Sequence, residues 1–430
     1  MLLPMLLVSL ILACTPQVAT VTPSLGQPST VSAPARDGLC ASVQLDRWDA
    51  EHRAAQVEAL RGLGIQQIRQ DLRWNYVQPA RDVWDWSLED PVQDAILESG
   101  LGEIGMLGYG VPWATSQAGA DSFYPPDDPA DFAAFAAAAA ERYARRGLRW
   151  EIWNEPNAGY RFWKVGDPPA LSGDPVAYAA LFVAAADAIH AVDSEPEVLV
   201  GGTFWLPQVI PGTVEFLESA IAAEPRFLEV ADGVAIHPYT LYPPHAPPEE
   251  EEGLEVALDL MIELTREVTG DLPLVITEMG WPSWGEVSEQ DQADWLVREF
   301  ALAQAEGVRD VCVYTLEDGD TPEDNPEEAF GLLRAGLAEW KPAGEAWRSM
   351  AQALEGSCYG RAEDALGLPT GVYAVRWADW RGALTAVWTT EGEVEVTLPP
   401  LDTEEEPTPV TLTASPTPVF VAQRGALPED

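Results

Sequence analysis

Between Gly38 and about Leu354 the chain alternates short apolar runs with longer stretches whose apolar residues recur at helical spacing. The strand-type runs begin near Cys40, Ile65, Gly102, Arg149, Val198, Gly233, Leu274 and Asp310. Several, such as Val234-Ala235-Ile236 and Leu274-Val275-Ile276, are apolar at every position, as expected of strands covered on both faces. Helical patterns fall between them, including 131–146, 177–191, 254–268 and 290–306. A strand followed by a helix, eight times in succession, predicts an α/β protein, a (β/α)8 TIM barrel over residues 38–355.

Beyond residue 356 the pattern changes to alternation with period two and no intervening helix, over 371–377, 384–389, 394–398 and 410–422. This predicts a small C-terminal antiparallel, sandwich-like β-domain over 356–430, with the acidic run 404–406 in an exposed turn. At the other end, residues 1–13 form an apolar run too short to span a bilayer, which reads as an export signal without the usual basic flank. Its end, Ile11-Leu12-Ala13-Cys14, resembles a bacterial lipobox, which implies acylation of Cys14; plain secretion is the alternative. Residues 15–37 are rich in Pro, Ser, Thr and Val, a composition suited to a disordered tether. An extracytoplasmic location is expected, either lipid-anchored or secreted, with membrane contact only through that anchor.

The net charge of -46, from 70 acidic and 24 basic residues, opposes binding to nucleic acid or to anionic lipid surfaces and leaves neutral sugars as acceptable partners. It reads as a solvated or salt-adapted surface, and a monomer is expected. Of the cysteines other than Cys14, Cys40, Cys312 and Cys358, two can pair in an oxidising compartment. Spacing does not choose the pair, and buried free thiols serve equally well.

The candidate chemistry lies in two strand ends. Trp153-Asn154-Glu155-Pro156 follows the fourth strand, and Ile276-Thr277-Glu278-Met279-Gly280 ends the seventh. In a closed barrel, catalytic groups sit at the C-terminal ends of strands, and a pair of carboxyl groups there suits glycosidic bond cleavage. Alone, Asn-Glu-Pro reads as a helix-start turn and Glu278 as a salt-bridge partner; together they point to catalysis. Arg69 ends the second strand, and Ile236-His237-Pro238-Tyr239 ends the sixth.

With these four strand ends the sequence resembles the clan A glycoside hydrolases. The run 69–86 and the appended β-domain are most similar to family 39, the β-xylosidase and exopolysaccharide hydrolase type. The resemblance covers the barrel and implies a retaining β-glycoside hydrolase, with Glu155 as acid/base and Glu278 as nucleophile. It further implies that Asn154 holds the substrate 2-hydroxyl, that Arg69 and Tyr239 bond to Glu278, and that His237 lines the cleft floor.

Sugars present apolar C–H faces to aromatic rings. Among the 17 tryptophans, the loop positions Trp74, Trp113, Trp163, Trp205, Trp281 and Trp284 are candidate substrate platforms, joined by Tyr109 and Tyr314. Trp84 and Trp86 read as loop anchors. The reaction needs no cofactor, and no HExxH-type spacing points to a metal. The acidic stretch 317–328 lacks the glycine placement of a calcium loop and reads as solvated. Rival readings are a non-catalytic surface carbohydrate-binding lipoprotein and a transglycosylase using the same residues on an oligo- or polysaccharide.

Overall fold

The computed structural model describes residues 38–144, 148–193, 195–205, 212–240, 246–249, 257–355, 361–362, 368–379, 382–390, 392–399 and 409–424. The signal and tether over 1–37 with Cys14, the thiol Cys358 and the acidic turn 404–406 lie outside the described residues.

Strands β1 (Leu39–Val43), β2 (Gln67–Arg73), β3 (Gly102–Gly108), β4 (Arg149–Ile152), β5 (Val198–Phe204), β6 (Gly233–His237), β7 (Leu274–Met279) and β8 (Val311–Tyr314) form a closed barrel in sequence order. Every neighbouring pair is parallel, and β1 closes the ring on β8. Around it run α1 (Ala50–Gly62), α2 (Trp74–Val77), α3 (Glu89–Ser99), α4 (Pro129–Arg142), α5 (Pro175–Val192), α6 (Thr213–Ala223), α7 (Leu258–Thr269), α8 (Glu289–Ala305) and α9 (Pro342–Leu354).

Local chemistry sets several helix starts. Asp128 and Asp174 accept hydrogen bonds from first-turn backbone N–H groups, and a proline fills the first helical position of α4 and α5, where no N–H is needed. Ser288 and Asp291 form a reciprocal box at the start of α8. Helix α5 is long and apolar enough to cross a membrane by composition. Its buried residues Tyr178, Leu181, Phe182, Ala185 and Ile189 belong to the main hydrophobic core.

Inside the barrel, Cys40 and Cys312 are direct register partners on β1 and β8 and form a disulfide across the seam. Both are fully buried, in a layer with Ile104, Leu199 and Val275. Pairing that spacing left open is thus decided by which strands meet at closure.

The C-terminal region contains β9 (Arg361–Ala362), β10 (Val372–Asp379), β11 (Gly382–Thr389), β12 (Val394–Leu398), β13 (Val410–Ala414) and β14 (Val419–Arg424). They form a four-stranded sheet, β14-β11-β10-β9, and a β12-β13 hairpin pair, all antiparallel. The single strand expected over 410–422 is two strands, because Pro416 and Pro418 lack the N–H that a continuous ladder needs. The sheets dock on the barrel through α8: Arg298 Nε donates to Pro416 O at 3.0 Å, and Thr417 Oγ1 to Asp294 Oδ2 at 3.1 Å.

Candidate active site

Two local devices bring the side chains at the strand ends inward. After β4, Trp153 and Glu155 adopt positive φ angles of 71° and 45°. Such angles in bulky residues cost about 1–3 kcal/mol each and persist only when surroundings enforce them. Here Trp153 Nε1 donates to Phe162 O at 2.8 Å, and Glu155 N–H donates to Gly202 O at 2.9 Å. Asn157 exchanges two hydrogen bonds with the Phe204 backbone, clamping the turn to β5. On β7 the register with β8 shifts between Ile276 and Met279. A bulge there lets the consecutive residues Thr277 and Glu278 both reach the site, where a regular strand would send them to opposite faces.

Glu278 is the more open of the two carboxylates. Arg69 Nη1 donates to its Oε1 at 2.5 Å and the Tyr239 hydroxyl to its Oε2 at 3.0 Å. Burial, followed by the neighbouring Glu278, raises the Tyr239 phenol well above its usual range, so it stays a proton donor. Arg69 is itself buried; burial opposes its charge, but Glu151 and Glu278 together hold it firmly cationic. The same guanidinium donates through Nη2 to Asn154 Oδ1 at 2.7 Å. With its carbonyl oxygen engaged, Asn154 keeps its NH2 for donation, without a partner among the described residues.

Glu155 is almost fully buried. Its Oε1 lies 3.0 Å from His237 Nδ1, and its Oε2 has no hydrogen-bond partner among the described residues. An unpartnered buried carboxyl oxygen is costly unless a ligand satisfies it. One carboxylate oxygen of Glu155, one of Glu278 and a ring nitrogen of His237 lie within 4.8 Å of one another. Such a triangle could hold a cation by residue type. Arg69 and Tyr239 already occupy both Glu278 oxygens with donors, so the positive charge at that place is supplied by the guanidinium.

The expectation that His237 lines the cleft floor is corrected: the ring is fully buried and bridges Glu155 to Thr277, with Nε2 3.0 Å from Thr277 Oγ1. The ring presents no exposed face, and its two nitrogens are engaged by Glu155 and Thr277. Trp281 is also corrected as a substrate platform. It is 1% exposed, packed edge-on to Trp295, with Nε1 donating to Thr240 Oγ1. Trp74 and Trp163 are core residues for the same reason, packed against Phe132, Phe135, Trp153 and Tyr178.

Tyr109 is buried against Phe123, Trp153 and Phe162, while half-buried Tyr314 packs on Tyr239 and Phe330. Trp205 is buried, with its indole N–H unpartnered among the described residues. Trp113 is half-buried, tied by Nε1 to Gln78 O at 2.9 Å, with Arg81 over its ring. Trp284 is exposed, and Trp86 packs on Tyr143 beside the exposed Trp84.

Sequence reasoning missed Glu151, Thr277, Asp71 and the Gly201-Gly202 pair. Glu151 is a fully buried acid in β4 that grips Arg69 with two bonds. A charge inside an otherwise apolar strand must be paired, which is the signal that could have marked it. Asp71, inward on β2 beyond Arg69, is pushed up to about 6 by burial, against the pull of Arg73 and Arg69. Gly202 is required because a Cβ there would stand 2.1 Å from His237 Nε2.

No protein-family model and no curated protein matches the sequence. Among solved structures, the chain is similar to a family 39 glycoside hydrolase from the gut symbiont Bacteroides cellulosilyticus WH2, with a TM-score of 0.68, 20% identity, and coverage of 91% of this chain and 81% of that one. It is also similar to a family 39 enzyme from Xanthomonas axonopodis pv. citri, with TM-score 0.58, 20% identity, and coverage of 83% and 72%. A family 39 β-xylosidase from Caulobacter crescentus gives TM-score 0.57, 19% identity, and coverage of 85% and 83%. At these identities the likeness establishes a shared fold, barrel with appended β-structure.

Proposed function

We propose that the chain is a retaining glycoside hydrolase that cleaves β-glycosidic bonds of an oligo- or polysaccharide by double displacement. The observation that carries this reading is the spacing of the two carboxyl groups, with oxygens of Glu155 and Glu278 within 4.8 Å. Retaining enzymes hold their carboxyls about 5–5.5 Å apart, whereas inverting enzymes need about 6.5–9.5 Å to admit a water between carboxylate and sugar. The likeness to solved family 39 structures supports the same reading.

In the first step Glu278 attacks the anomeric carbon, the bond to the leaving oxygen breaks, and Glu155 delivers its proton to that oxygen from the unpartnered Oε2. Glu155, now a carboxylate, takes a proton from water, and the hydroxide oxygen displaces Glu278 from the sugar. Arg69 and Tyr239 aim both Glu278 oxygens by their hydrogen bonds, and release of that negative charge into the covalent bond is eased by a preorganised setting. The Asn154 NH2 is placed to hold the 2-hydroxyl, a contact that strengthens as the sugar becomes cationic. A sugar-binding protein without catalysis would have no use for an acid, a nucleophile and an orienting guanidinium held at bonding distances.

Export of the enzyme is part of the proposal, since the buried Cys40–Cys312 disulfide suits an oxidising compartment. Glu278→Ala tests the assignment. It should abolish turnover of aryl β-glycosides, and azide or formate should restore part of it with an inverted glycosyl product. Normal turnover by the variant would remove Glu278 as nucleophile.

A further inference from the structure

Glu151 is linked to each catalytic carboxyl through intermediaries: to Glu278 through Arg69, and to Glu155 through Thr277 and His237. Its Oε2 accepts from Arg69 Nε at 2.6 Å, and its Oε1 accepts from Arg69 Nη2 at 3.0 Å and from the Gly202 N–H at 2.8 Å. All of these neighbours are obligate donors, so Glu151 acts as an acceptor-only carboxylate. Thr277 Oγ1 lies 3.3 Å from the same Oε1.

The hydroxyl has one proton, and a carboxylate can only receive it. Thr277 therefore donates to Glu151 and turns its lone pairs toward His237 Nε2, 3.0 Å away. For that contact to be a hydrogen bond, Nε2 must carry a hydrogen. The tautomer of a histidine is set by what its nitrogens face, and here the constraint comes from Glu151 through one intervening residue, Thr277. Nδ1, 3.0 Å from Glu155 Oε1, is then the ring atom left free to be bare or protonated. The opposite arrangement, Nδ1–H with bare Nε2, would need the Thr277 hydroxyl to donate to Nε2 and would leave two lone-pair-bearing oxygens, of Thr277 and Glu151, facing each other.

We propose that Glu151 is a positioning residue for both catalytic carboxyls. It holds Arg69 against Glu278 and Asn154 and, through Thr277, fixes Nε2–H on His237, so that Nδ1 alone answers to the protonation state of Glu155. The inference rests on the function proposed above. The ionisable groups facing this cluster are Arg69, Glu151, Glu155, Glu278 and Tyr239; Glu151 Oε1 and Glu278 Oε2 come within 4.0 and 3.9 Å of the His237 ring nitrogens. Tyr178, Asp71, Tyr109, Tyr314 and Arg161 act at longer range. A Glu155 carboxylate is met by a hydrogen on Nδ1 when the ring is doubly protonated. When the ring carries a hydrogen on both nitrogens, Nδ1 donates to Oε1 and a protonated Glu155 can keep its own hydrogen on Oε2, toward the leaving oxygen; when Nδ1 is bare, Glu155 places its hydrogen on Oε1 and donates to the ring.

A purely structural role, neutralising a buried guanidinium, would not require any particular tautomer. Nitrogen-15 spectra of the imidazoles separate the two. The chain has four histidines, and comparison with His237→Asn assigns the one of interest. The wild type should show His237 with Nε2 protonated. In Glu151→Gln the amide NH2 can donate to Thr277, so that the hydroxyl turns to Nε2 and the Nδ1–H tautomer grows; Thr277→Val removes the link while leaving Arg69 paired, and Thr277→Ser should restore it. A wild-type ring with bare Nε2, or a tautomer unmoved in both Glu151→Gln and Thr277→Val, overturns the proposal without any substrate.

Kinetics supply the second readout. Thr277→Val should lose on the order of tenfold more kcat/KM on glycosides with poor leaving groups than on activated aryl glycosides, because only the acid arm is cut. Equal losses on both would refute the link to Glu155. If the wild type turned over no glycoside while Glu278→Ala behaved identically, the hydrolase reading would fail, and the spectra would still decide the role of Glu151 and Thr277.

Discussion

Removing the disulfide that joins the first and last barrel strands should cost as much as a large truncation in the core. Cys40 and Cys312 are 272 residues apart, so the bond closes nearly the entire barrel into one loop of the unfolded chain. The chain-entropy relation gives about 5–6 kcal/mol at 25 °C for a loop of that length, an upper figure beside the roughly 2–4 kcal/mol commonly found. Replacing both residues by alanine adds a packing loss, because the sulfurs fill a fully buried layer with Ile104, Leu199 and Val275. Urea unfolding can separate the two contributions by comparing the oxidised protein, the same protein unfolded and refolded under reductant, and Cys40→Ala/Cys312→Ala. The oxidised form should exceed the reduced form by about 3–5 kcal/mol, with the double variant a further ~1–2 kcal/mol lower. Coincident midpoints for oxidised and reduced protein would refute the loop-closure reasoning. Protein made in a reducing compartment should unfold like the reduced form, which ties the measurement to the proposed export.

Glu155→Ala should slow hydrolysis of poor leaving groups far more than of activated aryl glycosides, whose departure needs no proton; equal losses would argue against the acid role. Glu89, fully buried at the start of α3, is raised from 4.5 to about 8 by burial, against the hydrogen bond from the Arg73 backbone. The native state therefore keeps a proton that the unfolded chain releases, so its favourable contribution is complete below about pH 4.5 and is lost as pH rises to about 8. Glu89→Gln has no such proton. Relative to the wild type it should gain on the order of 3 kcal/mol between pH 5 and 7.5, read from paired denaturation curves, and a pH-independent difference would contradict the buried-proton argument.

Periodicity made the barrel legible. Apolar runs and helical spacing are local properties, and the eight strands begin within two residues of where the pattern changes, at Gln67 where Ile65 was expected and at Val311 where Asp310 was. Proline chemistry was equally local, yet the stop at 415–418 was passed over because valine and threonine on either side continue the alternation. The tryptophans show the limit from the other side. Residue type cannot separate Trp74 and Trp281, sealed in aromatic packing, from Trp284, which is open to solvent.

The chain by itself determined the eightfold order and the strand ends that carry Glu155 and Glu278, because both follow from the spacing of neighbours along the backbone. Only the closed barrel decided partners: Cys40 with Cys312, Arg69 with Glu151, Thr277 with His237. Those residues are remote in sequence and apolar or polar for reasons no local window reveals. Their pairing depends on register across the ring and on two departures from regular strand geometry, the bulge at Thr277 and the left-handed turn at Trp153 and Glu155. Hydrogen-bond direction exists only once those donors and acceptors face each other.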